Sequence, residues 1–161
     1  MAPERVRPED VSLREITEET VVSIIKLAVA DDQKDFVATN AVSLAQALFS
    51  EAAWYRAIYL GGEPVGFVML YDETLLQPLP ESPEVGVWRF MVDARFQGRG
   101  IGREALRQLI EHVRAKGAAT LELSYVPGPG CPEPFYRSFG FEPTGRMEDD
   151  EIVLALRLNE G

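Results

Sequence analysis

The stretch Gln97-Gly98-Arg99-Gly100-Ile101-Gly102 lies between an apolar, β-branched segment and a segment with helical periodicity. Three glycines at alternating positions allow a tight turn and a close approach of the backbone to a ligand. The free N–H groups and the dipole at the start of the following helix favour an anion, and Arg95, Arg99 and Arg103 add full positive charge. The stretch therefore predicts a diphosphate site, although a plain strand-to-helix connection also fits a glycine-rich turn.

Two common phosphate-binding motifs do not match this turn. A P-loop requires Lys-Ser/Thr after the last glycine, whereas this chain has Arg103-Glu104. The dinucleotide fingerprint requires G-x-G-x-x-G in a first βα unit, and here the spacing differs and the turn falls late in the chain.

The order of the periodic segments predicts a mixed α/β (α+β) fold with helices on both faces of a sheet. The length fits one domain, residues 1–161. Thr17 and Asn40 are predicted to cap the first two helices. Residues 101–113 and 134–139 are the other helical segments, and residues 72–83 contain three prolines and are predicted to form a loop. The predicted strands are residues 11–16, 54–60, 65–71, 85–92, 121–125, 141–144 and 152–158.

Charge is unevenly distributed along the 161 residues. The chain has 26 acidic and 16 basic residues, a net charge of −10 that disfavours nucleic acid and anionic membranes as partners. Residues 89–116 reverse this balance, with seven basic and three acidic residues. A cationic patch on an acidic body predicts an anionic ligand and a cationic second ligand.

Cys131 and His112 are the only cysteine and histidine. An internal disulfide and a cysteine-built zinc site are therefore excluded, and no serine motif accompanies the histidine to form a triad. No signal peptide or apolar run of membrane-spanning length is recognised. These features indicate a reducing compartment, the cytoplasm. We expect His112 to be a surface residue of the long helix.

Two motifs together resemble a known family. Gln97, Gly100 and Gly102 fit Gln/Arg-x-x-Gly-x-Gly/Ala after a strand, and residues 135–141 (FYRSFGF) fit a helix with a tyrosine followed by Gly-Phe. This combination resembles the GCN5-related N-acetyltransferase (GNAT) family, which implies acetyl-CoA as cofactor, a mostly antiparallel sheet with a splayed strand pair that binds CoA, and a homodimer. Residues 36–47 and 88–93 are similar to the bacterial spermine/spermidine acetyltransferases of that family.

The resemblance also implies which residues contact the cofactor. The splayed strand would hold the pantetheine arm through the backbone of Phe90, Met91 and Val92, with the Val92 N–H polarising the thioester carbonyl. The family often has an asparagine before the tyrosine, and residues 127–133 lack one. The other implied cofactor contacts are Gln97, Gly98, Arg99, Gly100, Ile101, Gly102, Arg103 and Phe135.

Acetyl transfer to an amine needs a base, a polarised carbonyl and an acid for the leaving thiolate. Tyr136 is predicted to be the acid, because a phenol with a pKa of about 10 keeps its proton at neutral pH. Glu84 is the first candidate for the base, directly or through water, and Glu122 and Glu151 are weaker candidates. Cys131 offers an acetyl-thioester intermediate as an alternative to direct attack.

The acceptor is expected to be a small cationic polyamine held by carboxylates. Asp31, Asp32 and Asp35 form one acidic run and residues 148–151, which include Glu151, form another, although solvated acidic loops also explain both. Glu84 is counted with these substrate-binding candidates. Other amines, including amino sugars, amino acids and protein N-termini, a non-catalytic CoA-binding module and a dimerising scaffold remain alternatives.

Overall fold

The computed structural model describes residues 5–34 and 37–159. Its centre is a seven-stranded sheet with the order β1-β2-β3-β4-β5-β7-β6, antiparallel except for the β4–β5 pair. The strands are β1 (Val11–Arg14), β2 (Ala53–Leu60), β3 (Glu63–Asp72), β4 (Val85–Val92), β5 (Thr120–Tyr125), β6 (Glu142–Glu148) and β7 (Glu151–Arg157). The helices are α1 (Val21–Ile25), α2 (Asn40–Ala47), α3 (Ile101–Ala115) and α4 (Glu133–Arg137). The predicted mixed fold with a mostly antiparallel sheet is confirmed.

Alternating side chains of the central strands build one apolar layer on each face of the sheet. Val68 and Leu70 of β3 pack in a cluster with buried residues of α3, whereas Phe67 and Met69 pack in another with Ile24 of α1. All four β3 residues are fully buried. The helices therefore cover both faces, as the periodicity predicts.

The helix starts differ from the predicted caps. Thr17 precedes a turn, and α1 begins four residues later at Val21. Thr39, not Asn40, caps α2, because its hydroxyl oxygen accepts from the N–H of Val42 at 3.3 Å. Asn40 is the buried first residue of the helix, and its amide donates to the Ile24 carbonyl at 2.9 Å. Asn40 thus joins α2 to α1.

His112 is not the surface residue that the sequence predicts. Its ring stacks on Trp54 of β2 with 4.2 Å between centroids, and its Nε2 is buried without a hydrogen-bond partner among the described residues. Burial and the nearby Lys116 lower the pKa of His112 below its usual value. The neutral imidazole therefore packs as an aromatic side chain.

The region after β3 is also more regular than predicted. β3 extends to Asp72, and Glu73–Leu75 forms a 3₁₀ turn within the predicted loop. Glu73 ties this turn to the segment before β4: its N–H donates to the Glu84 carbonyl, and its carboxylate accepts from the Glu84 N–H, each at 2.9 Å. Among residues 5–34 and 37–159 no helix is long and apolar enough to span a membrane.

Candidate active site

β4 and β5 separate partway along their length. The two parallel strands pair only at Gly86–Glu122 and Val87–Leu123. Just beyond this point Trp88 is an extra residue in β4, since Leu70 pairs with Val87 and Met69 pairs with Arg89. The bulge bends β4, and a cleft of about 1170 Å³ opens in the gap.

Backbone groups of β4 face this gap. The N–H of Asp93 donates to the Val65 carbonyl of β3 at 2.8 Å. Because N–H directions alternate along a strand, the N–H groups of Val92 and Phe90 point the other way, toward β5. β5 does not pair with this part of β4, so these two N–H groups have no strand partner. Met91 has the opposite direction and pairs with Phe67 of β3.

The glycine turn leads from β4 into α3. Gly98 and Gly100 have φ values of +81° and +89°, in the left-handed region that favours glycine. Gly100 is the N-cap of α3, and the first helical bond runs from the Glu104 N–H to its carbonyl at 3.1 Å. The N–H groups of residues 101–103 therefore have no intrahelical acceptor and face the end of the cleft. Gly98, Gly100, Ile101, Gly102 and Arg103 all line the cleft.

The side chain of Gln97 forms hydrogen bonds to the end of β4 and to the segment after α1. Its Nε2 donates to the Val92 carbonyl at 2.9 Å and to Gln33 Oε1 at 2.8 Å. Gln33 lies between α1 and α2, so the side chain of Gln97 joins β4 to the segment between the first two helices.

Arg99 and Arg103, both predicted to contact the cofactor, lie in different places. Arg103 lines the cleft, donates to Ser138 Oγ at 2.8 Å and lies over the Phe139 ring. Arg99 lines a smaller neighbouring cavity instead. Phe90, Met91, Val92 and Phe135 line the cleft, and Gly102 packs below them, with 3.5 Å between Val92 Cγ2 and the position that a Cβ on residue 102 would take.

Tyr136 of α4 is 8 % exposed and lines the same cleft. Burial raises its pKa to about 12, so the phenol is protonated at neutral pH. Its ring packs edge-on against Phe135 and Phe141. Cys131 also lines the cleft as a free, partly buried thiol.

The other end of the cleft is rich in carboxylates. Glu84 precedes β4, Glu122 lies on β5, and Glu148 and Glu151 lie at the β6–β7 turn. Arg146 forms ion pairs with Glu122 and Glu148. Ser124 donates to Glu151 at 3.2 Å. Neither Glu84 nor Glu151 forms an ion pair with another described residue.

The remaining acidic candidates lie elsewhere. Asp31 and Asp32 are exposed and do not line the cleft, although Gln33 beside them does. Asp31 pairs with Lys34 at 2.8 Å, and this contact lowers the pKa of Asp31. Asp35 lies outside the described residues, as does Phe36 of the segment that resembles polyamine enzymes.

Sequence reasoning missed two polar groups of the cleft. Arg89 donates to Gln46 Oε1 of α2 and to the Trp88 carbonyl, each at 2.9 Å, and burial lowers its pKa. Tyr125 donates to Glu133, and this hydrogen bond raises the pKa of Tyr125 to about 12. The alternation of side chains along β4 does not predict which face Arg89 occupies, because the bulge at Trp88 interrupts that alternation.

The cleft fits the CoA that the sequence motifs imply. The gap offers N–H groups of Phe90 and Val92 without a strand partner. Apart from its chain neighbours, no described residue has an atom within 4 Å of the position that a Cβ on Gly98 would take. Three free N–H groups at the start of α3 suit a diphosphate. The residues present can therefore hold a pantetheine arm in the gap and a diphosphate at the turn.

Comparison with known proteins agrees with this geometry. The model of the acetyltransferase (GNAT) family matches residues 22–141. The chain is 27 % identical over 148 residues to a spermine/spermidine N(1)-acetyltransferase of Bacillus subtilis (strain 168), which covers 86 % of this chain and 91 % of that protein.

Solved structures share the fold. The ribosomal-protein-S18-alanine N-acetyltransferase of Escherichia coli has a TM-score of 0.67 at 18 % identity, covering 94 % of this chain and 96 % of that one. The PaiA N-acetyltransferase of Thermoplasma acidophilum, solved with coenzyme A, has a TM-score of 0.68 at 11 % identity, covering 91 % and 98 %. With the split strands, the glycine turn and the family match in agreement, the chain belongs to the GNAT family and is an acetyl-CoA-dependent N-acetyltransferase.

Proposed function

We propose that the acceptor is a small polyamine, such as spermidine or spermine, whose primary amine attacks acetyl-CoA directly. The observation that carries this proposal is the group of four glutamates at the end of the cleft opposite α3: Glu84, Glu122, Glu148 and Glu151. Arg146 pairs with Glu122 and Glu148, whereas neither Glu84 nor Glu151 forms an ion pair with another described residue. Several spaced carboxylates suit several protonated nitrogens better than a single amine.

Acetyl-CoA, when bound, supplies the thioester carbonyl that the amine attacks. The Val92 N–H is the donor that would stabilise negative charge on the carbonyl oxygen, since it faces the gap and has no strand partner. Gln97 holds the carbonyl of the same residue at 2.9 Å. The backbone of β4 is therefore fixed where the charge develops.

Glu84 is proposed as the base. The amine must lose a proton before it attacks, because a primary ammonium has a pKa of about 10.4. Glu84 lines the end of the cleft where the four glutamates lie. Its backbone N–H and its carbonyl are both hydrogen-bonded to Glu73. Its carboxylate is thus carried on a fixed backbone and takes the proton directly or through water.

Tyr136 is proposed as the acid. Its phenol lines the cleft close to the ring of Phe135, and burial raises its pKa to about 12. The phenol therefore keeps its proton until thiolate charge develops on the leaving sulfur and then donates it, and the phenolate takes up the second proton that the attacking nitrogen loses as the amide forms. Direct attack gives Cys131 no covalent role.

The test is turnover with a panel of acceptors. Free thiol release from acetyl-CoA is followed with spermidine, spermine, a monoamine of similar length, an amino sugar, an amino acid and a peptide with a free N-terminus. We expect kcat/KM for the polyamines to exceed that for the monoamine at least about ten-fold, because this ratio corresponds to the free energy of one additional charge-assisted contact. Preference for the peptide or the amino sugar would overturn the polyamine assignment.

A charge variant sharpens this test. Glu151→Gln should raise KM for spermidine and leave KM for the monoamine unchanged, because only the polyamine carries a second charge. Glu142→Gln is the matched control, since Glu142 is exposed on β6 and does not line the cleft. Equal effects on both amines would remove Glu151 from recognition of the distal charge.

The cytoplasmic location and the homodimer belong to the same proposal. The lone cysteine supports the first and the family resemblance supports the second. Light scattering after size-exclusion chromatography tests the dimer, and a mass of one chain would contradict it.

A further inference from the structure

A second cavity lies at the N-terminal end of α3, outside the glycine turn. It has a volume of about 360 Å³, and four arginines line it against a single acid, Glu104. The arginines are Arg5, Arg99, Arg103 and Arg107. This arginine pocket is a cationic concave surface on an otherwise acidic chain, and the reaction at the β4–β5 gap does not use it.

The arginine pocket is continuous with the cofactor cleft. Arg5, Gly100 and Arg103 line both cavities. The Arg5 guanidinium is close to the rim, since its Nη1 lies 3.3 Å from the position that a Cβ on Gly100 would take. A ligand with its diphosphate at the turn therefore lies beside the arginine pocket.

Backbone contacts hold Arg5 there. The N–H of Val6 donates to the Arg99 carbonyl at 3.0 Å, so the segment before β1 is bound to the glycine turn itself. Further along, Gln108 of α3 donates to the Val11 carbonyl at 2.8 Å. Arg5 thus enters the site from a segment that neither of the two family motifs includes.

The charges of the pocket are not equally available. Glu104 accepts from Arg107 Nε and Nη2 at 2.8 and 2.7 Å, so these two groups neutralise each other. Arg103 donates to Ser138. The side chain of Arg5 makes no ion pair or hydrogen bond to another described residue. Arg5 therefore has donors to offer to an anion.

We propose that the arginine pocket binds the 3′-phosphate of the CoA ribose and that Arg5 makes the enzyme select CoA over 3′-dephospho-CoA. The diphosphate and the 3′-phosphate are attached to the same ribose, so their sites must be adjacent, as the turn and the pocket are. A phosphate monoester presents several oxygens to guanidinium donors. This inference concerns the cofactor alone and does not depend on the identity of the acceptor amine.

Calorimetry without any acceptor tests the assignment. CoA and 3′-dephospho-CoA are titrated separately into the wild type, Arg5→Ala and Arg7→Ala. Arg5→Ala should lower the affinity for CoA about ten-fold, because one charge-assisted hydrogen bond is lost, and should leave the affinity for 3′-dephospho-CoA unchanged. Arg7 is the matched control: it is exposed, pairs with Asp10 and lines neither cavity. Arg7→Ala should change neither affinity.

A second variant tests the placement of Arg5. Val6→Pro removes the N–H that donates to Arg99 and keeps the arginine, so it should produce the same selective loss of CoA affinity. An equal loss for CoA and 3′-dephospho-CoA in Arg5→Ala would assign Arg5 to the diphosphate and overturn the proposal. Unchanged CoA affinity in Arg5→Ala would overturn it as well.

Discussion

The side-chain amide of Gln97 donates to the backbone carbonyl of Val92 at 2.9 Å. The same nitrogen reaches Gln33 Oε1 at 2.8 Å, between α1 and α2. The carbonyl and the N–H of Val92 leave the same side of the strand, so this bond fixes the direction of the N–H that we assign to the thioester carbonyl.

Gln97→Glu tests this relationship. The substitution replaces a donor by a carboxylate that faces two oxygen acceptors, so both hydrogen bonds are lost at nearly constant shape. We expect kcat/KM for acetyl-CoA to fall about ten- to hundred-fold, because two partly buried acceptors lose their donor. Gln77→Glu, on an exposed loop, is the control in the same thiol-release assay. A Gln97→Glu enzyme with wild-type kinetics would show that Val92 needs no such support.

Tyr136→Phe should lower kcat about hundred-fold, the size of a typical acid contribution, while the affinity for acetyl-CoA in calorimetry stays within about two-fold. The ring contacts with Phe135 and Phe141 remain in the variant, so the loss would be chemical. Tyr59→Phe, buried in the opposite apolar layer, is the control. Unchanged turnover in Tyr136→Phe would exclude the phenol as the acid.

The pH profile adds an independent check on Tyr136. Because burial raises its pKa to about 12, the phenol remains protonated well above neutrality. The wild type should therefore show no decline in kcat from this group between pH 7 and about pH 10. A decline near pH 8 that disappears in Tyr136→Phe would contradict the raised pKa.

Gly100→Val should abolish measurable CoA binding. Residue 100 has φ of +89°, and its Cβ would point to Arg5 Nη1 at the anion site. A β-branched residue there is strained and occupies space that the diphosphate needs. Gly117→Val is the matched control, because Gly117 follows the other end of α3 with φ of +82° and open space around it. Its backbone strain is similar, so it should lower thermal stability and leave CoA affinity unchanged.

The local patterns of the sequence located the strands and the turn well. The predicted range of β4, residues 85–92, is the observed one, because its apolar residues and the following glycines are local signals. The conformation of the glycine turn was also predictable, since glycine at a positive φ before an amphipathic helix is a property of a few adjacent residues.

Contacts between distant segments were not predictable. The stack of His112 on Trp54 joins residues 58 positions apart in sequence, and Asn40 is drawn into the core by the carbonyl of Ile24. Arg5 lines the cleft beside the glycine turn, to which the N–H of Val6 is bound through the Arg99 carbonyl. The sequence alone gives no signal for such pairs, so the polar neighbours of His112 predict an exposed position that the fold does not give it.

Lys116 and Asp72 form a pair that should control stability without touching the site. Lys116 Nζ lies 2.6 Å from Asp72 Oδ2, and the Asp72 side chain is fully buried. Burial alone would raise the pKa of Asp72, but hydrogen bonds from Lys116 and Thr74 outweigh it and lower the pKa below 3.8. Removing one partner of a buried ion pair is costly because the other charge remains.

Lys116→Met should therefore lower the free energy of unfolding by about 3 kcal/mol at pH 7, measured by urea denaturation. Arg114→Met is the control, since Arg114 forms only an exposed pair with Glu111 and should change it by less than about 0.5 kcal/mol. Because the pKa of Asp72 is lower in the folded protein, its contribution is complete above pH 4 and is lost as the pH falls through the folded value. In Lys116→Met the unpaired Asp72 takes up a proton at a higher pH than in the wild type, because burial raises its pKa and the hydrogen bond from Lys116 no longer lowers it. The difference between the wild type and Lys116→Met should therefore shrink as the pH falls toward the folded pKa of the wild type, and a difference that stays constant with pH would show that lost packing of the lysine stem, not the charge pair, causes the destabilisation.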